Sequence, residues 1–414
     1  MKSATRNEVL MLAGLFLIGI LFRLWFISLA PQPFGWDQYE YETYAGKMLG
    51  SPWFLASHSY RPYPYPLFLA LLYRVFGFGN HGIVIAAQAI VDSATAVLLF
   101  LALRVAGKRQ AATVVGFLYA LNPFTSGYVG VLLSEVLSAF FMALTLLLGV
   151  SAVARPSRFH ATVFGVVVGL AAHTRSAAFA WAVVPVFLAI SLFPRQKKIV
   201  LAVCVAVGLF IPTMYPLSVN VRDWHEISLS TVDSTFAREL FNGAILRRLP
   251  PFTYSYPLDV QVMYGEYYSE YDPGRTSRAR KEMAKKYIDK AWIIIKTDPW
   301  DYIKVRFQKM WYVWQKENLF FYEEPGFERR KGFTYVLNLA VLSSAVFGII
   351  ISLAEKKGKT SRWIMLTIIG TILYGTIAFS FTHAEYRLTI PLYPYIIVAS
   401  GIAITRILGL FRTT

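Results

Sequence analysis

The chain has 414 residues, of which 56% are hydrophobic and 16% are charged. Soluble domains carry about a quarter charged residues, so this composition excludes an ordinary soluble fold and favours a polytopic membrane protein. The formal net charge of +17 would also suit a nucleic-acid binder. However, much of the Lys and Arg flanks apolar runs, as the positive-inside rule expects, and we therefore expect no nucleic-acid partner.

Apolar runs of about 20 residues predict ten membrane crossings. They lie at 8–30, 82–106, 111–131, 134–154, 159–173, 176–194, 198–218, 333–354, 363–381 and 388–409. No small-residue cleavage site follows the first run, so we expect a retained anchor rather than a signal peptide. The flanking basic clusters then fall on the cytoplasmic side together with the N-terminus.

The apolar stretch 64–78 decides the topology, because at about 15 residues it is short for a crossing. We expect a half-inserted or juxtamembrane helix on the outer side. Counting it as a full span would give eleven crossings and move four later basic clusters outside. The predicted fold class is therefore an all-α polytopic membrane protein with about ten to eleven transmembrane helices and juxtamembrane helices in the first external loop.

The sequence divides into three predicted parts. Residues 1–218 form a transmembrane catalytic module that includes the first external loop, 31–81. Residues 219–332 form a small external insert with interfacial helices, and 333–414 hold the C-terminal transmembrane helices. The single cysteine, Cys204, lies in an apolar run, so no disulfide framework is expected. Phosphate-binding Gly-rich loops and HExxH are absent from the sequence, which disfavours a nucleotide-driven enzyme or a zincin.

Ten crossings place several polar clusters on one non-cytoplasmic face, which predicts a single outward-facing polar cavity. The candidate residues of this cavity are Asp37, Glu40, His58, Arg61, Glu135, His173, Arg175, His383, Glu385 and Arg387. Asp92 stands apart within an apolar helix, where an ionisable residue is taken as functional by default.

Each candidate also has a structural alternative. Asp37 and Glu40 have the D-x-x-E spacing of a capping box, so Asp37 would merely cap a helix. Ser134 and Glu135 would likewise begin a helix, with the acid favourably placed on the helix dipole. The remaining alternatives are an interfacial pair of His173 with Arg175, a rim ion pair of Glu385 with Arg387, and hydrogen bonds from Asp92 to Ser93, Gln88 or an arginine.

The order of these motifs resembles the GT-C membrane glycosyltransferases, and most closely the protein O-mannosyltransferase and aminoarabinose transferase family. The matching residues are Asp37, Arg61–Gly77, Ala120–Pro123, Leu133–Glu135, His173–Arg175 and Glu385–Pro394. The resemblance covers residues 8–218 well, the last helices moderately and the insert weakly. Two departures are Glu135, where some relatives have Asp, and the lack of a large C-terminal external domain.

The resemblance implies a hexosyl- or pentosyltransferase that uses a polyprenyl-phosphate sugar as donor and inverts the anomeric centre. Its acceptor would be a glycan, lipid or protein, and its role glycosylation in the cell envelope. Asp37 would act as general base on the acceptor. The donor phosphate would meet Arg61, Arg175, His383 and Arg387, since a planar guanidinium binds two phosphate oxygens at once.

Three further expectations accompany this function. Glu135 would be a second catalytic acid, or would ligate a divalent cation, Mg²⁺ or Mn²⁺, together with Asp37. The protein would lie in the bilayer of a bacterial inner membrane with its active site facing outside. The alternative functions are a lipid-linked sugar transporter or flippase, and an O-antigen-type ligase or polymerase.

Overall fold

The computed structural model describes residues 6–57, 61–229, 233–245, 277–322, 324–354 and 358–410. All regular structure within these ranges is helical. The α-helices are α1 (Arg6–Ser28), α2 (Asp37–Leu49), α3 (Pro64–Phe76), α4 (His81–Val105), α5 (Arg109–Ala120), α6 (Pro123–Ser126), α7 (Glu135–Ala154), α8 (Arg158–Thr174), α9 (Ala178–Trp181), α10 (Val183–Leu192), α11 (Lys198–Trp224), α12 (Asp233–Ile245), α13 (Ser277–Thr297), α14 (Pro299–Tyr312), α15 (Phe327–Ala354), α16 (Lys359–Ser380) and α17 (Tyr393–Leu410).

Seven helical segments of the described chain are long and apolar enough to cross a membrane. They are Arg6–Ser28, His81–Val105, Glu135–Ala154, Arg195–Trp224, Phe327–Ala354, Lys359–Ser380 and Tyr386–Gly409. These segments confirm the predicted all-α polytopic class. The three other predicted crossings, 111–131, 159–173 and 176–194, correspond to shorter helices: α5 with α6, α8, and α9 with α10.

The predicted crossing 111–131 is interrupted at Asn122 and Pro123. The Asn122 side chain accepts a hydrogen bond from the backbone N–H of Phe124 at 2.8 Å, which starts a new short helix. Proline at the first position of that helix suits a start and not a continuation. The chain consequently turns through 123–134 and brings Ser134 to the side of α2, where the Tyr41 hydroxyl donates to it at 3.2 Å.

Helix α3 supports the interpretation of 64–78 as a segment that does not cross. Its 13 residues would span about 20 Å at 1.5 Å per residue, against a hydrocarbon core of about 30 Å. The helix packs beside α2 through buried aromatic side chains, including Tyr65 and Tyr73. The first loop therefore contains two adjoining helices that bracket Arg61.

Helices α8 and α11 pack against each other at glycine positions. A β-carbon at Gly165 would lie 2.2 Å from the Val205 carbonyl oxygen, and one at Gly208 would lie 2.1 Å from the Thr162 carbonyl oxygen. Small residues allow membrane helices to approach backbone to backbone. This close pair fixes the end of α8, where Arg175 follows.

The insert docks on the loop between α16 and α17 through α12. Gly243 lies so close to that loop that a β-carbon there would be 1.9 Å from the Phe381 carbonyl oxygen. Arg306 and Lys309, both on α14, donate to the Gly243 carbonyl at 2.7 and 3.3 Å, and Lys309 also donates to the Thr382 carbonyl at 3.0 Å. Helix α12 is thereby held over the residues that follow α16.

Candidate functional site

A cavity of about 350 Å³ lies where α2, α12 and the loops after α8 and α16 meet. Its charged lining comes from distant parts of the chain: Asp37, Arg61, Arg175, Arg238, Glu239, His383, Glu385 and Arg387. Six of these residues were predicted from the sequence. The structure thus brings together the first external loop, the H-T-R motif and the closing E-Y-R motif.

Asp37 lies between two arginines. Its Oδ1 is 2.7 Å from an Nη of Arg61, and its Oδ2 accepts from Nη1 of Arg387 at 2.9 Å. The N-cap of α2 is Trp36, with no side-chain capping bond, so the capping-box alternative is not what is observed. Burial alone would raise the pKa of Asp37, but the two guanidinium charges outweigh it and hold the pKa well below its usual range.

Arg387 is held in place by its own loop. It lies in the 3₁₀ segment Tyr386–Leu392, where the fully buried Lys316 donates to the Tyr386 carbonyl at 2.5 Å and to the Thr389 hydroxyl at 2.7 Å. Burial lowers the pKa of Lys316 well below its usual value. The guanidinium of Arg387 also lies 4.8 Å from the centre of the Phe321 ring. These contacts orient Arg387 before any substrate binds.

Glu135 and Arg175 form a second ion pair, with 2.8 Å between Oε1 and Nη1. Glu135 is almost fully buried at the start of α7, behind Ser134 and Arg175, which line the cavity. The Glu135 carboxylate therefore holds the Arg175 guanidinium from the side away from the cavity. The predicted interfacial pair of Arg175 with His173 is not the contact observed, because His173 bonds the Thr213 hydroxyl at 3.0 Å.

The predicted metal ligands, Asp37 and Glu135, do not fit a shared cation in this arrangement. Each carboxylate is already paired with guanidinium groups, and only Asp37 lines the cavity. In the described residues no three His, Cys, Asp or Glu side chains lie together as metal ligands. Four arginines line the cavity, and guanidinium groups suit an anion and not a metal ion.

His383 links the insert to the core. Its Nδ1 lies 2.6 Å from Glu239 and its Nε2 3.5 Å from Glu385. Burial would lower the pKa of His383, but the two carboxylates raise it to about 9. Burial would raise the pKa of Glu239 and of Glu385, and their cationic neighbours instead lower each to about 2. Glu385 also pairs with Arg387, so an unbroken chain of charges runs from α12 to Asp37.

Three cavity residues on α12 were missed by sequence reasoning, which found no catalytic motif in the insert. They are Arg238, Glu239 and Asn242, and all three line the cavity. The side-chain oxygen of Asn242 is buried without a hydrogen-bond partner in the part of the chain that the structure describes. The signal available was the spacing of four between Arg238 and Asn242, which places these two on one helix face.

Glu40 and Asp92 do not line the cavity. Glu40 lies 2.7 Å from Arg61 and so shares the partner of Asp37. Asp92 bonds Arg23 at 2.6 Å and accepts from the Tyr119 hydroxyl at 2.8 Å, in a pair with no solvent exposure. Asp92 therefore follows its structural alternative, a hydrogen bond to an arginine, and that arginine is Arg23. His58 lies outside the described residues.

Solved structures show what this architecture is similar to. The chain aligns with the apo oligosaccharyltransferase of Archaeoglobus fulgidus at a TM-score of 0.56 and 15% identity, over 98% of this chain and 51% of that one. The same organism's oligosaccharyltransferase AglB, in complex with an inhibitory peptide and a dolichol-phosphate, gives 0.54 and 13% over 97% and 51%. The chain has the GT-C fold.

A third structure, the Archaeoglobus fulgidus enzyme with Zn and sulfate, gives a TM-score of 0.51 and 13% identity over 97% of this chain and 50% of that one. The chain thus spans about half the length of these GT-C structures. No family model matches the sequence, and no curated protein does. At these identities the likeness establishes the fold alone.

Proposed function

We propose that this protein is a membrane glycosyltransferase that moves a sugar from a polyprenyl-phosphate donor to an acceptor hydroxyl or phosphate. The observation that carries the proposal is Asp37, a carboxylate held between Arg61 and Arg387 in a cavity rimmed by further cations. A base and a phosphate-binding cluster side by side are what this transfer needs. The dolichol-phosphate in the AglB complex is a polyprenyl phosphate, the chemical class of the leaving group in this transfer.

The proposed transfer is a single displacement. The acceptor oxygen attacks the anomeric carbon and forms the new glycosidic bond, while the bond from that carbon to the phosphate oxygen breaks. Asp37 takes the acceptor proton, and polyprenyl phosphate leaves with the electron pair. Attack opposite the leaving group inverts the anomeric centre. Arg387, Arg61 and Arg175 bind the charge that grows on the departing phosphate, and Arg238 adds a fourth cation from the insert.

Asp37 is a weak base in the state described, because two guanidinium groups lower its pKa. A phosphate competes for the same arginines, because Arg–phosphate pairs are bidentate just as Arg–carboxylate pairs are. Donor binding would therefore draw Arg61 and Arg387 toward the phosphate, weaken their hold on Asp37 and raise its pKa toward the usual carboxylate range. The donor itself would activate the base, so that proton abstraction begins only when the leaving group is in place.

No step of this proposal passes through a metal ion, because Glu135 is paired with Arg175, does not line the cavity and so cannot share a cation with Asp37. Glu135 serves instead to position Arg175. The predicted roles of Asp37, Arg61, Arg175, Arg387 and His383 enter as proposals, with His383 acting mainly by holding Glu385 and Glu239. The sugar is a hexose or pentose, and the acceptor a glycan, lipid or protein.

A transfer assay tests the proposal and its competitors. Purified protein in liposomes receives a donor with a radiolabelled sugar, and host membranes supply the acceptor. Labelled product with release of polyprenyl phosphate supports the transferase. Movement of intact donor across the bilayer would support a flippase, and transfer of a preassembled polymer a ligase.

Orientation needs its own test, because we propose that the cavity faces the non-cytoplasmic side. In a Cys204→Ser background, a cysteine at Lys281 should react with an impermeant reagent on intact cells. A cysteine at the exposed Arg155, on the opposite side in the predicted topology, should react only after permeabilisation. The reverse pattern would place the cavity in the cytoplasm.

A further inference from the structure

Trp36, the residue before Asp37, has an unusual backbone and an exposed ring. Its φ of 46° lies in the left-handed region, which an L residue rarely adopts unless its surroundings hold it there. Its side chain is nevertheless 67% exposed, although it is a large aromatic group that lines the cavity. Burial of the ring therefore does not explain the conformation.

A separate segment holds the ring from one side. Tyr322 stacks on Trp36 with 5.0 Å between ring centres and 26° between planes. The backbone N–H of Tyr322 donates to Gln32 at 2.9 Å, which fastens this segment to the start of the first external loop. Tyr322 covers only part of the indole, so much of the ring stays open.

We propose that Trp36, backed by Tyr322, is the stacking platform for the sugar ring of the donor. This inference rests on the proposed function and adds the sugar subsite to it. One face of a pyranose is rich in C–H bonds, and these pack against the electron-rich face of an aromatic ring. The ring hydroxyls then point to the sides, where buried polar groups bind them. The side-chain oxygen of Asn242, which lies in the same cavity and has no hydrogen-bond partner among the described residues, is an acceptor for one of them.

The platform implies a class of sugar and a position for it. A pyranose with mainly equatorial hydroxyls fits, because its axial C–H bonds lie free on the ring face. An axial hydroxyl on that face would be pressed against the indole and lose its hydrogen bonds to water. Because Trp36 adjoins Asp37, a stacked sugar would lie beside both the base and the arginines, as its anomeric carbon requires.

The simplest competing explanation is a membrane-interface anchor, since Trp is enriched at both interfaces of a bilayer. An anchor has no need of a left-handed backbone or of a place in a polar cavity. Trp300, on α14, is 79% exposed and does not line the cavity. It supplies a matched control with the same side chain.

Two ligands that differ only in the sugar test the platform: a short-chain polyprenyl-phosphate-glucose and the same polyprenyl phosphate without glucose. Binding is measured on the purified full-length protein. Trp36→Gly removes the ring and also suits the left-handed backbone. We expect wild type to bind the glucose ligand more tightly, and Trp36→Gly to lose about tenfold of that preference while binding polyprenyl phosphate normally. Trp36→Phe should keep part of the preference, and Trp300→Ala all of it.

The possible results distinguish a failure of the stacking platform from a failure of the proposed donor. An undiminished glucose preference in Trp36→Gly, or no glucose preference in wild type, would overturn the platform while leaving the donor phosphate site intact. Absence of binding to both ligands in wild type would overturn the proposed donor and the platform with it. A preference lost equally in Trp300→Ala would assign the effect to membrane anchoring and also overturn the platform.

Discussion

Nη1 of Arg387 donates a hydrogen bond to Oδ2 of Asp37 across 2.9 Å, although 350 positions separate the two residues in the chain. The bond joins the start of α2 to the segment between α16 and α17. It also gives Arg387 two possible partners, because the same fork that binds a carboxylate binds a phosphate. Without donor, the Asp37 carboxylate occupies the guanidinium of Arg387, and the donor phosphate would have to displace it.

Replacing Arg387 should therefore affect the donor most. We expect Arg387→Ala, and separately Arg175→Ala, to raise the donor KM at least about tenfold, since hydrogen bonds to charged groups contribute roughly 1.5–3 kcal/mol. Lysine at either position should rescue only in part, because the planar fork is lost. Initial rates at varied donor concentration measure the effect.

Arg222→Ala is the control for these variants. Arg222 pairs with Asp223 on the surface and does not line the cavity. Donor kinetics that stay at wild-type values in both the Arg387 and Arg175 variants would return these residues to the structural ion-pair interpretation.

The pH dependence of stability should report on His383. Its folded-state pKa of about 9 lies above the usual 6.5. The stabilising contribution of its protonated form is therefore complete below about pH 6.5 and lost as pH rises through about 9. We expect the thermal midpoint of wild type to fall across this window more steeply than that of His383→Gln. Parallel curves for the two proteins would show that His383 is not held as a cation by Glu239 and Glu385.

Much of the fold could be predicted from the sequence, because apolar length and basic flanks act locally. The segment interrupted at Asn122 and Pro123 was predicted as one crossing, because hydropathy measures apolar length and does not show where a proline starts a new helix. The partner of Asp92 could not be predicted either. Arg23 lies in another apolar run, and the packing of α1 against α4 brings the two residues together. Pairing across distant helices is a tertiary property.

The Arg23–Asp92 pair should contribute to stability and not to transfer. Asp92→Ala leaves a buried arginine unpaired, which costs about 3–5 kcal/mol, whereas replacing both residues by apolar side chains is often nearly neutral. We expect a large loss of thermal stability in Asp92→Ala and recovery in Arg23→Met/Asp92→Leu. Turnover per folded molecule of the double variant should match wild type. A stable double variant without activity would restore the functional interpretation of Asp92.

Gly243 should control how the insert meets the cavity. A β-carbon there would collide with the Phe381 carbonyl, so Gly243→Ala should push α12 away and carry Arg238 and Glu239 with it. We expect weaker donor binding and faster hydrogen exchange in α12 and 381–385, with the transmembrane helices unchanged. Gly332→Ala, where nothing lies within 4 Å, should leave both measurements at wild-type values. Normal exchange in Gly243→Ala would contradict the described docking.

Part of the candidate site could be predicted because apolar runs and their basic flanks are local features of the sequence. Asp37, Arg175 and Arg387 lie beside apolar runs, so the predicted topology was enough to put them on the same face of the membrane. Arg238 and Asn242 belong to an amphipathic insert helix whose charges are typical of any solvated surface. The close approach at Gly243 and the contact of Glu239 with His383 show that this helix packs over the cavity.

Turnover of Asp37→Asn tests the proposed mechanism most directly. Asn keeps the size of the side chain but cannot take the acceptor proton, and a general base contributes on the order of 10²–10⁴-fold to the rate. Asp298→Asn is the control, because Asp298 caps α14 by accepting from the Asp301 N–H and does not line the cavity. We predict that Asp37→Asn is folded, binds donor at least as well as wild type because its arginines are released, and loses at least about a hundredfold in kcat. A folded Asp37→Asn protein with wild-type turnover would contradict the assignment of Asp37 as the base.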